Sequence, residues 1–572
     1  MDLSRGEVQV LSDAASLRSF RLTGAGEGRE YQIIVMSASQ VEGGSTPLVF
    51  TVRASSVGAS VAPTRLPSVA RDRRPAARRT DLERVLERPR HLELRARMDA
   101  EVRRVGGLGS LGAGTSSSRE RAVARNMASA ATIPGVGDIV EIKSQVVPGG
   151  GLTCNSSATI EGVVKTVGDN FVIVEDPAVA GHLTSQDYAD LDTELDAYIA
   201  PIDNEYFGDP ADLDGNERVI VFFTGEVNRL NEPGSPGIII GFFSPLDTIE
   251  ASLCPSSNEA EIVWLIGPDP DGEIGVAIPT DLVKTISRGL VAHEYQHLLS
   301  DEARFVHGNG MFLEDLWLNE GLSHIAEEVS GLYRVGVGTR DALGFTEITP
   351  GQVGRPAFDD FHWGNLLNVG DYLEGPSDVV SLAGGAYPEN QAAMRGWSYL
   401  FLRWLGDRFG PAGPGGLLSG SDEFELFREL ARGGDAHAIG IENVVAAVNT
   451  VAGESLTWDE VLEQYFAAPA VEGTAAPDEL QFSTWDYPRL YDELAANSVQ
   501  GLSSGFPLEP TAVVMGAGTS STANFDLGAS TARYFRFTAT GQHPDMIVEM
   551  TAPSGANVPN GARARVIVVR TG

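Results

Sequence analysis

The sequence predicts an α+β chain: a β-rich lobe followed by a helical lobe, with small all-β modules at both ends. Three observations predict it. Short apolar runs bounded by Gly, Pro and Asp turns (FVIVEDP, RVIVFFTG, GIIIGFF and EIVWLIGPD) all lie before residue 280. After that point the spacing becomes helical, in TDLVKTISRGLVAHEYQHLLS, LEDLWLNEGLSHIAEEVSGLY and MRGWSYLFLRWLGDRFG. Both ends alternate apolar and polar residues about a glycine turn. The expected units are an N-terminal β module over 1–60 and an Arg-rich helix with a Gly/Ser linker over 61–134. A β-rich lobe over 135–280, a helical lobe over 281–500 and a C-terminal β-sandwich-like module over 501–572 complete the chain.

Each end carries a version of one pattern. In LRSFRLTGAGEGREYQIIVMSAS, Arg18, Phe20, Arg21 and Thr23 align with Arg533, Phe535, Arg536 and Thr538 of ARYFRFTATGQHPDMIVEMTAPS. The ends are therefore read as two related β modules that serve stability or targeting. Between the first module and the body, residues 71–130 hold 15 arginines against 8 acids, a local charge of +7. The rest of the chain then carries −43 of the formal −36. RDRRPAARRTDLERVLERPRHLELRARMDAEVRR has helical spacing in places, and GGLGSLGAGTSSS is a linker by composition. The segment is read as a solvated helix docking on an acidic body; a cleavable pro-segment and a polyanion-binding arm are the alternatives.

At 572 residues the chain exceeds a single core. Its acidity argues against nucleic acid as a partner, which demands a basic surface. No run of eighteen apolar residues exists, so no transmembrane segment is expected. The start, MDLSRGEVQV, has no apolar signal core. Cys154 and Cys254 are too few for a disulfide scaffold, and whether they pair is open at this level.

The chemistry concentrates in VAHEYQHLLS. His293 and His297 lie one helical turn apart on a helix expected to start near Thr280, so both imidazoles can face one ion. A catalytic zinc takes three protein ligands and keeps one position open. WLNEGLSHIAEE supplies a third donor, Glu320, on a second helix that can pack against the first. Glu294 points about 100° round from His293 and is left to act as general base on a water made acidic by the metal. Two histidines and one carboxylate also serve non-haem iron; the helix spacing and the adjacent glutamate favour zinc.

HEYQH followed by WLNEG resembles the gluzincin metallopeptidases. With GWSYLFLRWLGDRFG and FGDPADLDGNERVIVFFTGEVN, it resembles the hyicolysin-like neutral metallopeptidases in particular, over about residues 135–500. The resemblance implies a thermolysin-like two-lobed zincin fold, zinc at His293, His297 and Glu320, Glu294 as base, and endopeptidase activity. Thermolysin-type sequences carry an acid four residues after the glutamate ligand, where this chain has His324. Aminopeptidase-type gluzincins carry a glutamate seven residues on, matched by Glu327. Asn319, His324 and Glu327 are therefore expected around the ligands, orienting a histidine. The aminopeptidase signature Gly-x-Met-Glu-Asn has only a displaced echo in GAYPEN at 385–390, so an endopeptidase is favoured over an aminopeptidase. A non-catalytic surface binding protein that keeps the fold is the other alternative. Tyr387 and Tyr399, with His362 and Arg395, are candidates for the donor to the oxyanion.

Two peripheral expectations remain. EIVWLIGPD is the candidate edge strand for substrate, or else a central strand. Asp209, Asp212, Asp214 and Asn216 could hold Ca2+, or form a tight Asp-Gly turn. The expected protein is a secreted or cell-surface monomer acting on protein or peptide substrates.

Overall fold

Six strands in the middle of the chain build the sheet that carries the site. In order across the sheet they are Gly241–Phe243, Ile262–Ile266, Val219–Thr224, Phe171–Glu175, Thr159–Val167 and Ile139–Lys143. The computed structural model describes residues 1–23, 29–41, 45–54, 64–65, 90–106, 133–147, 151–156, 158–234, 237–304, 313–375, 391–434, 438–474, 476–499, 501–502, 505–515, 520–539 and 545–572. The three inner strands Ile262–Ile266, Val219–Thr224 and Phe171–Glu175 run parallel. Every residue of Phe171–Glu175 and of Ile262–Ile266 is buried. That is why these strands read as unbroken apolar runs: both faces of a parallel strand are covered.

The strand within 261–269 is therefore not an edge. It lies between Val219–Thr224 and the short antiparallel strand Gly241–Phe243, which forms the sheet border. A Cβ at Gly241 would come within 2.8 Å of the Trp264 carbonyl oxygen, so glycine permits this close approach.

The helical lobe packs on this sheet. The first long helix spans Thr280–Glu302, beginning where expected; Pro279 sits at the cap position, and no side chain caps the end. The second spans Leu316–Val335 and stops at Gly336, whose positive φ ends the helix. A third, Gln391–Phe409, lies behind the second. Gly321 lets them close: a Cβ there would stand 2.7 Å from Leu402 and 3.1 Å from Ser398. Between these two helices Arg403 pairs with Glu328 at 3.0 Å, with Asp407 at 3.1 Å and with Glu423, all fully buried. A charge so placed is tolerable only because three carboxylates surround it.

The chain ends do not form two modules. They interleave in one sandwich. Its first sheet runs Val8–Leu11, Ala564–Arg570, Glu30–Ser37, Ala532–Ala539, Thr511–Met515. Its second runs Ser19–Thr23, Asp545–Thr551, Ser45–Ala54, Ser520–Gly528, Thr64–Arg65. Every strand from the N-terminal end pairs only with strands from the C-terminal end. The alternation expected from sequence is real, since Phe20 and Phe535 both bury in the shared core, but they stand in opposite sheets. Arg563 and Arg565 tie the sandwich to Asp459 on the helix Trp458–Val471.

Within the Arg-rich segment the described part is the helix His91–Gly106. It is not solvated throughout. His91, Leu94, Arg95, Met98 and Val102 form one buried stripe against the body. The stretches 66–89 and 107–132, with the expected linker, lie outside the described residues. Among the described residues no helix is long and apolar enough to cross a membrane.

Cys154 and Cys254 are joined, closing a sequence separation of 100 residues. A loop of that length contributes about 4–5 kcal/mol in the chain-entropy account. Reduction by a phosphine should therefore lower the thermal midpoint by several degrees, read by circular dichroism on oxidised and reduced samples. Superimposable melts would mean the bridge contributes nothing.

Candidate metal centre

The Thr280–Glu302 helix presents His293, Glu294 and His297 on the side that meets the Leu316–Val335 helix. All three are buried, and so is Glu320. Glu320 Oε2 stands 3.7 Å from His293 Nε2, and its Oε1 3.6 Å from His297 Nε2. The opposite ring nitrogens are held from behind. His293 Nδ1 lies 2.6 Å from Glu327 Oε1, and His297 Nδ1 3.1 Å from Asn319 Oδ1. His324 Nδ1 lies 3.2 Å from the same Glu327 oxygen. Asn319, Glu327 and His324 thus surround the pair of imidazoles, and both Nε2 atoms face the glutamate.

A fourth side chain enters this group from the Arg-rich segment. His91 Nε2 is 3.5 Å from Glu320 Oε1, and His91 Nδ1 is 3.6 Å from Glu294 Oε1. One donor atom from each of His91, His293, His297 and Glu320 falls within 4.8 Å of the others. His91 Nε2 and both Glu320 oxygens are buried with no hydrogen-bond partner. Buried polar atoms are nearly always paired. Three imidazoles and a carboxylate that converge with unspent donor capacity fit a divalent cation of the zinc type.

The electrostatics agree. Burial pushes His91 well below the usual imidazole range and His293 down to about 4, so both are neutral and have lone pairs to give. Burial opposes charge on Glu320, but the Arg395 guanidinium beside it helps hold that carboxyl well below its ordinary value. Arg395 Nη2 stands 2.9 Å from Glu320 Oε2. Burial and the charge of Glu320 raise Glu294 to about 8. One Glu294 oxygen accepts from the Phe243 amide at 2.9 Å, while Oε1 has no hydrogen bond.

Other expected residues fall elsewhere. Tyr399 is buried and donates to Glu328 Oε1 at 2.7 Å, within the Arg403 network, so it is no donor to a reacting group. His362 packs beside Gly331, eleven residues past Glu320 on the second helix, about 16 Å along its axis. Tyr387 and GAYPEN lie outside the described residues. His91 escaped the sequence reading because the arginines around it read as solvent charge. The signal was the stripe of His91, Leu94, Arg95, Met98 and Val102 at helical spacing.

The calcium expectation gains no support, since the loop's side chains are engaged in local hydrogen bonds. Asp214 spends both oxygens on Asn216, Asp212 accepts from the Glu217 amide, and Asn216 Oδ1 accepts from the Arg218 amide. Asp209, Asp212 and Asp214 fall in no cluster of three His, Cys, Asp or Glu donors among the described residues; the loop is a set of side-chain-capped turns before a strand.

Behind that loop Glu261 and Glu302 are buried together. Glu261 accepts from the Leu213 amide at 2.6 Å and Glu302 from the Ala211 amide at 2.7 Å. Burial raises Glu261 to about 7 and Glu302 well above the ordinary value. Folding therefore retains protons that the unfolded chain loses above 4.5, and stability falls as pH climbs from 4.5 toward about 7. Glu261→Gln removes that loss. Its thermal midpoint should exceed the parent's by more at about pH 8 than at about pH 5, measured by scanning calorimetry; an equal difference at both would contradict the assignment.

The buried His/Glu group defines a class, that of proteins with a donor set fit for a metal ion. Comparison with known proteins points the same way. A stretch of 148 residues, 26% of this chain, is 25% identical to the neutral metalloprotease ShpI of Staphylococcus hyicus. The match spans about a third of that relative's length, 32%. No protein-family model matches the chain. The similarity is to a metalloprotease, and the His/Glu group suits a metal in that class.

Proposed function

We propose that the chain is a secreted zinc-dependent endopeptidase with a thermolysin-like two-lobed catalytic body. The observation that carries the reading is the convergence of His293, His297 and Glu320 donor atoms beside a buried glutamate, Glu294. The similarity to a neutral metalloprotease supports it.

In this reading His293, His297 and Glu320 hold zinc. Zinc, when bound, supplies a Lewis acid that makes water acidic and polarises a carbonyl. Glu294, which the charge of a bound cation would keep ionised against its burial, takes the proton of the attacking water and passes it to the leaving amine. The Phe243 amide fixes one oxygen of Glu294 and leaves the other facing the site. Phe243 belongs to the border strand Gly241–Phe243, along which an extended peptide can add its own backbone hydrogen bonds. That strand replaces residues 261–269 as the docking edge. Arg395 is the oxyanion donor we assign, because it has a polar contact with the site where Tyr399 and His362 do not. Glu327 and Asn319 fix the tautomers of His293 and His297, so that Nε2 of each is the donor. The joined cysteines favour an oxidising compartment, in keeping with secretion.

Two outcomes follow. Glu294→Gln should retain zinc at one equivalent by metal analysis yet lose casein hydrolysis by about three orders of magnitude or more. Full activity would reject Glu294 as base. Glu327→Gln should weaken zinc binding about 10- to 100-fold, measured by competition with a chromogenic chelator. Unchanged affinity would mean that Glu327 does not support His293.

A further inference from the structure

The three donors assigned above leave one corner for water, and in this structure His91 stands in it. Its ring centroid lies 5.7 Å from that of His293 and 6.0 Å from that of His297. Its Nε2 reaches toward Glu320, and its Nδ1 faces the free oxygen of Glu294. The positions of the attacking water and of its base are thus covered by one imidazole. A zinc site with four protein donors is closed; a catalytic one is open.

The helix that carries His91 is anchored. Arg95 Nη2 pairs with Asp301 Oδ2 at 2.8 Å, both buried, at the end of the helix that bears His293 and His297. The Arg95 guanidinium also lies over the Phe243 ring, 5.9 Å from its centroid, so the helix rests against the border strand. Arg90 donates to the Leu230 carbonyl at 2.9 Å. Glu101 accepts from the Cys154 amide at 3.2 Å, beside the disulfide. Leu92, Leu94, Met98 and Val102 are each at most 2% exposed. A segment held at both ends and along an apolar stripe competes with any peptide for the same edge and the same corner.

We infer that the His91–Gly106 helix is an autoinhibitory latch, with His91 a fourth protein donor to the metal that must withdraw before substrate enters. The inference rests on the zinc-protease reading above. It differs from a permanent structural site, for which a base beside the metal would have no use.

The test uses the full chain loaded with Co2+, whose visible absorption reports ligand number and exchange. Three proteins are compared: the parent, His91→Ala, and Arg95→Leu, which loosens the helix and leaves the imidazole intact. Acetohydroxamate is the probe for an open corner. The parent spectrum should change little on its addition, while both variants should shift strongly. Hydrolysis of a quenched peptide should rise about tenfold or more in the zinc forms of both variants, the response expected when a closed state held by at least 1.4 kcal/mol is released.

A parent spectrum as responsive as that of His91→Ala, with equal hydrolysis, overturns the latch and leaves the protease reading standing. Open spectra in the variants with no hydrolysis in any form sink the protease reading and with it the autoinhibitory role, leaving His91 only as a fourth donor. Failure of all three proteins to bind Co2+ overturns both. Should His91→Ala fail to fold, Arg95→Leu decides by the same spectra.

Discussion

The charge on Glu320 organises the site. A bare carboxylate moved into a protein interior costs several kcal/mol even after relaxation, and it survives there only if positive or polarisable groups surround it. Glu320 is fully buried, with neither oxygen hydrogen-bonded, yet its carboxyl is held ionised. The compensating charge comes from Arg395 on one side, while the imidazoles of His91, His293 and His297 line the other. The same charge raises Glu294, its neighbour across the cluster, so the two buried glutamates stand at opposite ends of the carboxyl range. Two like groups with different surroundings can take different roles, one as ligand and one as proton carrier.

That arrangement needs two helices to meet at a fixed register, and the means lie next to the ligands in sequence. Gly321 follows Glu320 and admits the third helix close behind. Asn319 precedes it and reaches His297. Glu327, two turns on, returns to the same face and reaches His293. Three consecutive residues therefore supply a donor, a support for His297 and the space for close packing. The Arg403 network locks the rear of the same helix through Glu328, one residue beyond Glu327. Polar groups on two faces of one helix thus set its rotation from both sides.

The features legible in sequence were those governed by local periodicity. The apolar runs showed the strands, and the spacing of His293 and His297 put both imidazoles on one face, because a helical turn converts spacing into geometry without help from the rest of the fold. Whatever depended on long-range pairing stayed hidden. EIVWLIGPD could be edge or centre until Gly241–Phe243 was seen beside it. The strands at the two ends looked alike, but likeness does not say that each would choose the other as partner. His91 sits more than two hundred residues from His293, in a segment whose arginines draw attention to charge. Tyr399 looked able to reach a substrate, yet its hydroxyl is spent on Glu328, a partner 71 residues away.

The woven sandwich bears on how the molecule is made. Among the described residues, no strand before residue 66 has a hydrogen-bonded neighbour that precedes residue 520. At roughly 5–20 residues per second, the first strands must wait on the order of half a minute to two minutes for their partners to be synthesised. Throughout that interval the middle of the chain can already be folding, with unpaired β-ribbon trailing from it. Closure of the two sheets then waits for the strands after residue 519, and it staples them to strands made some five hundred residues earlier.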